Sequence, residues 1–552
     1  MRKTALLILL ALAAVSAQAQ TIYDAQRFSE RDYEGTARSV AMGNAFTALG
    51  GDLGSIGINP AGSAVANYSQ FTITPSLTIS SNTTQGVSPY ADGHLPYFER
   101  QFKNTATHFS IPNFGMTFNW KTGRTSGLKN VTFGFVMNRT NNWDEDVYAA
   151  GRNATTSFMG SMAAHATWGG MLGFNLNKKD AYDYYPWEYV VGYQSGMIST
   201  FGGYDDQFVG ASEILHDNMG QTEISIGGPL DQSYGRQVRG AKNDYIINLG
   251  FNISDFLYLG ANLGLTSMNY SYDEYFKEVA VDPSDFEIVF DNGDKVYFDS
   301  MKYRYSYSTN TSGVYGKFGF ILTPGFGLRI GGAIQTPTAT TVNEYWYMSG
   351  ETYYTNSDFN ASAESPEGEY RYKFREPWRA NLGVAYTLGK LAVFSVDYEM
   401  CNYGSMKFKR SGFDDDREYF IGLNNDIKNV FGTSHMLRAG VEVKPVDRLA
   451  VRAGYGITTS PEMNEIIIEN DIAKIYPIDV PASQNVAFGL GFISRKSFFA
   501  DIACRYTFAT DEYFMPYSDY IIDEDGTVLE FAPEILNRKD NWKVLLTLGW
   551  RF

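Results

Sequence analysis

The chain has 552 residues, with 45 Lys+Arg against 61 Asp+Glu and a formal net charge of -16. Such a balance repels polyanions, so nucleic acid is excluded as a partner. It carries 38 Phe, 39 Tyr and 8 Trp within a hydrophobic total of only 44%, an aromatic load unusual for a soluble enzyme. Cys401 and Cys504 are too few for a disulfide scaffold and lack the Cys-x-x-Cys spacing of metal or redox sites.

Residues 1–19 read as a secretory signal peptide. Arg2 and Lys3 precede an apolar run from Ala5 to Val15, and Ala17-Gln18-Ala19 gives the small-x-small cleavage pattern. That run is too short for a comfortable spanning helix, and no later stretch offers the roughly 18 uninterrupted apolar residues a helix needs. The exported chain is therefore soluble or a membrane barrel.

Residues 20–69 show no strand pattern. Ala37, Ala41, Ala45 and Ala48 recur at helical spacing before Gly50-Gly51 interrupts them. The segment is too short for a domain of its own. Its small residues suit close packing, and a free tail would be richer in charge and Pro. It is expected to fold inside the lumen as a plug.

From residue 70 the apolar residues alternate. Phe71, Ile73, Pro75, Leu77 and Ile79 share one face, as do Leu437, Ala439, Val441 and Val443, then Leu449, Val451, Ala453, Tyr455 and Ile457, and Phe498, Ala500, Ile502, Cys504, Tyr506 and Phe508. The chain ends Val544, Leu546, Leu548, Trp550, Phe552 on one face against Leu545, Thr547, Gly549 and Arg551 on the other, similar to the terminal strand of outer-membrane barrels. Strands are predicted near 70–80, 107–120, 130–140, 245–253, 256–272, 303–322, 326–336, 372–388, 391–408, 433–444, 449–459, 483–494, 497–510 and 541–552. Short links after every second strand alternate with links expected to exceed about twenty residues. A sandwich has no reason to segregate its loops; a barrel keeps short turns on the periplasmic side. The expected fold is all-β, a 14-stranded antiparallel transmembrane β-barrel over residues 70–552, in the outer membrane of a Gram-negative cell.

Charge parity agrees. Arg329, Arg379, Arg438, Arg452, Arg505 and Arg551, with Lys317, Glu442 and Asp501, oppose the apolar residues of their own strands, so the lumen is expected to be polar. Trp120, Tyr386 and Trp550 fit an interfacial girdle. The long link between the third and fourth strands supplies Phe158, Met159, Met162, Trp168, Met171, Leu172 and Phe174, either a ligand surface or anchors for the loop on the rim. Arg329 and Arg452 could pair with a carboxylate, or serve the wall.

The Ala/Gly-rich segment leading to Asn59-Pro60-Ala61-Gly62 resembles the hatch of the FadL/TodX family of outer-membrane transporters for long-chain fatty acids and other hydrophobic compounds. Leu328-Arg329-Ile330-Gly331 with Thr336-Pro337-Thr338, Pro377-Trp378-Arg379 with Leu382-Gly383-Val384-Ala385-Tyr386, and Val451-Arg452-Ala453-Gly454-Tyr455 with Ser460-Pro461 extend the resemblance. It implies fourteen strands, a hatch blocking the lumen, capture by extracellular loops, passive diffusion and exit through a gap in the wall. Gly134 is a candidate for that lateral opening.

Other chemistry is thin. His94, His108, His165, His216 and His435 show no paired-ligand spacing, so no metal or cofactor is expected. Asp414-Asp415-Asp416 could bind divalent ions near lipopolysaccharide or form a solvated tip. An outer-membrane lipid hydrolase would need a pair such as His108 and Ser110, and a haem receptor an iron ligand. The leading expectation is a non-enzymatic, monomeric transporter whose partners are a hydrophobic small molecule and the surrounding lipid and lipopolysaccharide.

Overall fold

The computed structural model describes residues 21–87, 98–218, 221–289, 293–410, 417–469, 472–495, 497–518, 520–521, 528–530 and 532–552. The segment expected to be a signal peptide, His94 and Asp414-Asp415-Asp416 lie outside these residues.

A 14-stranded antiparallel barrel forms, its strands here β1–β14 in chain order. They are β1 Gln70–Val87, β2 Phe102–Lys121, β3 Leu128–Asn142, β4 Leu230–Ile253, β5 Leu257–Ala280 and β6 Lys295–Gly325. Then come β7, Leu328–Gln335 continued as Ala339–Tyr354, and β8, Gly368–Arg375 continued as Arg379–Leu388. β9 Ala392–Asn402, β10 Thr433–Val446, β11 Leu449–Thr458, β12 Ser483–Ile493, β13 Phe498–Phe514 and β14 Glu534–Arg551 complete the wall. Each strand pairs with the next, and β1 pairs back onto β14 through Phe71 opposite Trp550 and Ile73 opposite Leu548. Closure removes the sheet edges that hydrocarbon would leave unsatisfied.

The alternation resolves as expected. Leu437, Val451, Ile502 and Leu546 are exposed outside the barrel, while Arg438, Arg452, Asp501 and Leu545 beside them are buried inside. Trp120, Tyr386 and Trp550 are exposed near the short-turn ends. A closed cylinder with an apolar outer band and a charged interior is an outer-membrane-type barrel. The short connections are residues 122–127, 254–256, 326–327, 389–391, 447–448 and 494–497. Ser254, Asp255 and Phe326 take positive φ there, as tight hairpins require.

The opposite end differs from the sequence expectation. Several strands run well beyond the membrane, so β1 and β2 are separated only by residues 88–101, β5 and β6 by 281–294, and β7 and β8 by 355–367. Above the lipid both strand faces meet protein or water, and the apolar alternation that marks a strand fades. The long segment between β3 and β4 folds over this end with helices Phe158–Trp168 and Trp187–Gln194, their buried residues joining Phe276, Phe298 and Tyr303 in one cluster.

β7 and β8 are each interrupted by a proline, at Thr336-Pro337-Thr338 and Glu376-Pro377-Trp378. Thr336 N–H donates to Gly316 O at 2.9 Å and Glu376 N–H to Thr338 O at 3.0 Å, so the wall stays stitched there.

Candidate functional site

The N-terminal segment lies inside the barrel, and nearly all of it from Phe28 to Ala64 is buried. Thr21 and Asp24 form a capping box that starts helix Ile22–Ser29, and Thr36 caps Ala37–Ala41. Asn59 caps the turn Pro60–Val65 by accepting from Ala61 N–H at 3.1 Å. Its Nδ2 donates to Thr47 O at 2.6 Å and to Phe320 O in β6 at 3.0 Å. Asn59 thus joins two parts of the segment to the wall. Pro60, Ala61 and Gly62 are buried beside it.

The wall receives this segment through glycine and long polar side chains. A Cβ at Gly319 would strike the Asn59 side chain, and one at Gly260 would strike the Pro60–Ala61 backbone. Lys317 donates to Gly57 O at 2.8 Å, Asn262 to Ile56 O at 2.8 Å and Asn248 to Pro60 O at 3.0 Å. These bonds satisfy carbonyls that the lumen would otherwise bury unpaired.

Ion pairs fix the rest. Asp32 accepts from Arg505 and, at 2.9 Å, from Lys543, which also pairs with Glu34. Arg38 contacts Glu442 at 2.9 Å; Arg452 contacts Glu442 and Asp501, each at 2.6 Å. Arg379 and Arg438 share Glu399, each at 3.3 Å. Arg452 is therefore committed to the wall. Arg329 donates to Leu49 O at 2.7 Å, and both arginines line a cavity of about 270 Å³ near the short-turn end. A larger lumen cavity of about 430 Å³ is bounded by Asp32, Tyr33, Asn141, Arg438, Arg505 and Phe508, among others.

One break in the wall is not stitched by its own strands. β2 and β3 are in register from Lys121 opposite Asn130 up to Asn113 opposite Asn138, and the ladder stops there. The cause is a bulge: Thr74 opposes Asn113 but Ser76 opposes Ser110, so Ile111 and Pro112 face the single residue Pro75. Pro112 has no N–H to give. Beyond the bulge Phe109 and Ile111 are exposed on the outer face. Phe102 meets Tyr148, ring centroids 5.1 Å apart, farther from the membrane. Between these points the freed edge of β3 is taken by the N-terminal segment: Asp32 N–H donates to Thr140 O at 2.6 Å and Glu34 N–H to Arg139 O at 3.0 Å.

Gly134 does not sit at this break. It is in regular register with Thr117 on β2 and Asn248 on β4. Nor do His108 and Ser110 form a nucleophile and base: Ser110 bonds Ser76 at 2.9 Å, while His108 Nδ1 lies 4.0 Å from Asp144.

At the extracellular end a cavity of about 470 Å³ lies under helices Phe158–Trp168 and Trp187–Gln194. Phe158 and Met162 line it, Met159 is fully buried in the same cluster, and Met171 packs against that cluster from outside. Trp168 and Phe174 are 60% and 70% exposed, away from the lining. The reading of this loop missed the tyrosines opposite, Tyr234, Tyr272, Tyr303 and Tyr305. Tyr234 stands on β4; the alternation of Tyr270 with Tyr272 in β5 and of Tyr303 with Tyr305 in β6 was the available signal. Two acids of the folded-over segment are pushed up to about 7 by burial, Glu188 with help from Glu274 and Glu213 with help from Glu278.

No family model and no curated protein matches the sequence. Solved structures do. The chain is similar to the toluene transporter TodX of P. putida, with 12% identity over 94% of this chain and 99% of that one and a TM-score of 0.52. A deltaS2 mutant of the TodX monoaromatic hydrocarbon channel gives 11% identity over 94% and 98%, with a TM-score of 0.50. A FadL homologue of Pseudomonas aeruginosa gives 11% identity over 94% and 99%, with a TM-score of 0.49. At such identity the likeness to the TodX structures is one of fold.

Proposed function

We propose that this chain, a barrel of the FadL/TodX fold, carries hydrophobic small molecules, long-chain fatty acids among them, passively across the outer membrane, with the N-terminal segment as its hatch and a gap in the wall as the exit. An apolar solute gains about 0.8 kcal/mol for each CH2 it buries, so an open aqueous bore serves it poorly and a stoppered barrel with a side exit serves it well. The observation that carries the reading is the edge of β3 above Asn138, which β2 leaves and which Asp32 and Glu34 of the hatch occupy among the described residues, with Phe109 and Ile111 exposed outside. Movement of these few hatch residues would open the lumen cavity toward lipid. The solute would enter through the extracellular cavity, pass to the lumen cavity beside Tyr33 and leave between β2 and β3.

The closed ring presents no free strand to a second copy, which supports a monomer among membrane lipid and lipopolysaccharide. The test is a lock. With Cys401→Ser and Cys504→Ser as background, Glu34→Cys with Arg139→Cys places thiols on a bridged residue pair. Proteoliposomes carrying the oxidised pair are expected to take up labelled toluene or oleate at least tenfold more slowly than the reduced protein. Equal uptake by locked and reduced forms would overturn the proposed exit.

A further inference from the structure

The extracellular cavity has a chemistry of its own. Its walls are aromatic, including Tyr189, Tyr303 and Phe514, and its polar lining sets the carboxylate of Glu274 among tyrosine hydroxyls. One carboxylate oxygen of Glu274 accepts from the hydroxyls of Tyr234 at 2.9 Å and Tyr272 at 2.5 Å. Glu188 adds a second carboxylate. Among the described residues the one Lys or Arg in the lining is Arg236; its terminal nitrogens are taken by Glu145 and Glu512, its guanidinium lies over the Phe514 ring at 5.1 Å, and its Nε is buried without a hydrogen-bond partner.

A separate observation comes from His165. The residue is 6% exposed and lines the cavity. Its Nδ1 lies 2.7 Å from Ser161 O, a carbonyl that can only accept, so Nδ1 carries the hydrogen and Nε2 is left as an acceptor. That Nε2 is buried without a partner. A buried acceptor without a partner is costly, and a donor brought into the cavity beside it would relieve that cost.

We infer that this cavity binds apolar solutes bearing an amine, the ammonium head meeting His165 Nε2 and the Glu188 and Glu274 carboxylates while the body lies against the tyrosine rings. Rings attract a cation over their faces, and carboxylates repel an acid of the same shape. This rests on the transport reading for the cavity's place on the path, and narrows it: the cavity favours amines over the fatty carboxylates that the barrel type suggests.

The probes are 4-phenylbutylamine and 4-phenylbutyrate, which share a skeleton and differ in the head. Calorimetry on the full barrel in nanodiscs at pH 8, where Glu188 is mostly ionised, is expected to show the amine binding at least tenfold tighter than the acid. Glu188→Gln and His165→Phe are each expected to weaken amine binding severalfold, with the heat-stable folded band on gels showing the barrel intact. Equal affinities, or a preference for the acid, would overturn the inference, as would unchanged amine binding in both variants. Toluene uptake by proteoliposomes is measured alongside. Uptake without amine preference sinks this inference alone; amine preference without toluene uptake sinks the transport reading alone.

Discussion

Glu34 and Arg139 form an isolated antiparallel bridge between the hatch and the freed edge of β3. The bridge is secured from the far side of the lumen, where Lys543 of β14 pairs with both Glu34 and Asp32. Glu34 is 2% exposed, so removing Lys543 leaves a buried carboxylate with only the more distant Arg505 as counter-charge. Breaking such a pair costs about 3–5 kcal/mol. Lys543→Ala is therefore expected to release the hatch edge while the barrel stays closed. Hydrogen exchange of the Asp32 and Glu34 amides should rise by orders of magnitude, and single-channel conductance should increase. Unchanged exchange would mean that the bridge does not depend on Lys543.

The glycines of the wall give a second handle on the same element. Gly319 has room for no side chain because Asn59 occupies the place of its Cβ. Gly319→Val is expected to displace Asn59 and break its bond to Phe320 O while leaving the β6 ladder paired with β5 and β7. Leakage of small ions and protease cleavage after the Asn59 region should both increase. Gly316→Val, on the same strand where an added Cβ would meet nothing closer than 3.8 Å, serves as the comparison and should do neither.

Leu490 tests the lipid belt. It is 58% exposed on β12, opposite Val451 on one side and Ile502 on the other. An arginine there faces hydrocarbon, and Leu490→Arg should cost about 2–4 kcal/mol of folding stability in bilayers, read from denaturant titration. Leu490→Ile should be near neutral. If arginine is tolerated equally well, the outer face of β12 does not contact lipid.

The parts of this molecule that were legible in the sequence are those governed by lipid. Leu437, Val451, Ile502 and Leu546 alternate with Arg438, Arg452, Asp501 and Thr547 because one face meets hydrocarbon and the other the hatch, and that period survives in any single strand. β4 shows the limit: it begins at Leu230, but only its last residues were readable because the stretch from Asp231 to Arg239 stands above the membrane with polar residues on both faces. The wall break was missed for a different reason. Gly134 drew attention as a glycine within a strand, yet a glycine paired on both sides interrupts nothing. Pro112 marks the true bulge, and its effect depends on the register of β1, which local sequence does not carry. Arg452 reads in the sequence as a carboxylate partner or as part of a wall ladder balanced by Glu442 and Asp501, and it pairs with both, Glu442 from adjacent β10 and Asp501 from β13.

The extracellular segment should respond to pH through Glu213. It is 8% exposed, accepts from Gly210 N–H at 2.7 Å, and is pushed up to about 7 by burial and by Glu278. An acid with a raised pKa holds its proton in the folded state after the unfolded segment has lost it, so the folded segment binds more protons between about 4.5 and 7. Stability is then greatest below the unfolded value and falls as pH rises through this window, by about 3 kcal/mol at most. Limited proteolysis of residues 199–212 should accelerate from pH 5 to pH 8 in the wild type. Glu213→Gln keeps an acceptor for Gly210 and has no charge to bury, so its cleavage rate should be slow and level across that range. A Glu213→Gln protein that still loosens with rising pH would transfer the effect to another acid, with Glu188 the next to replace.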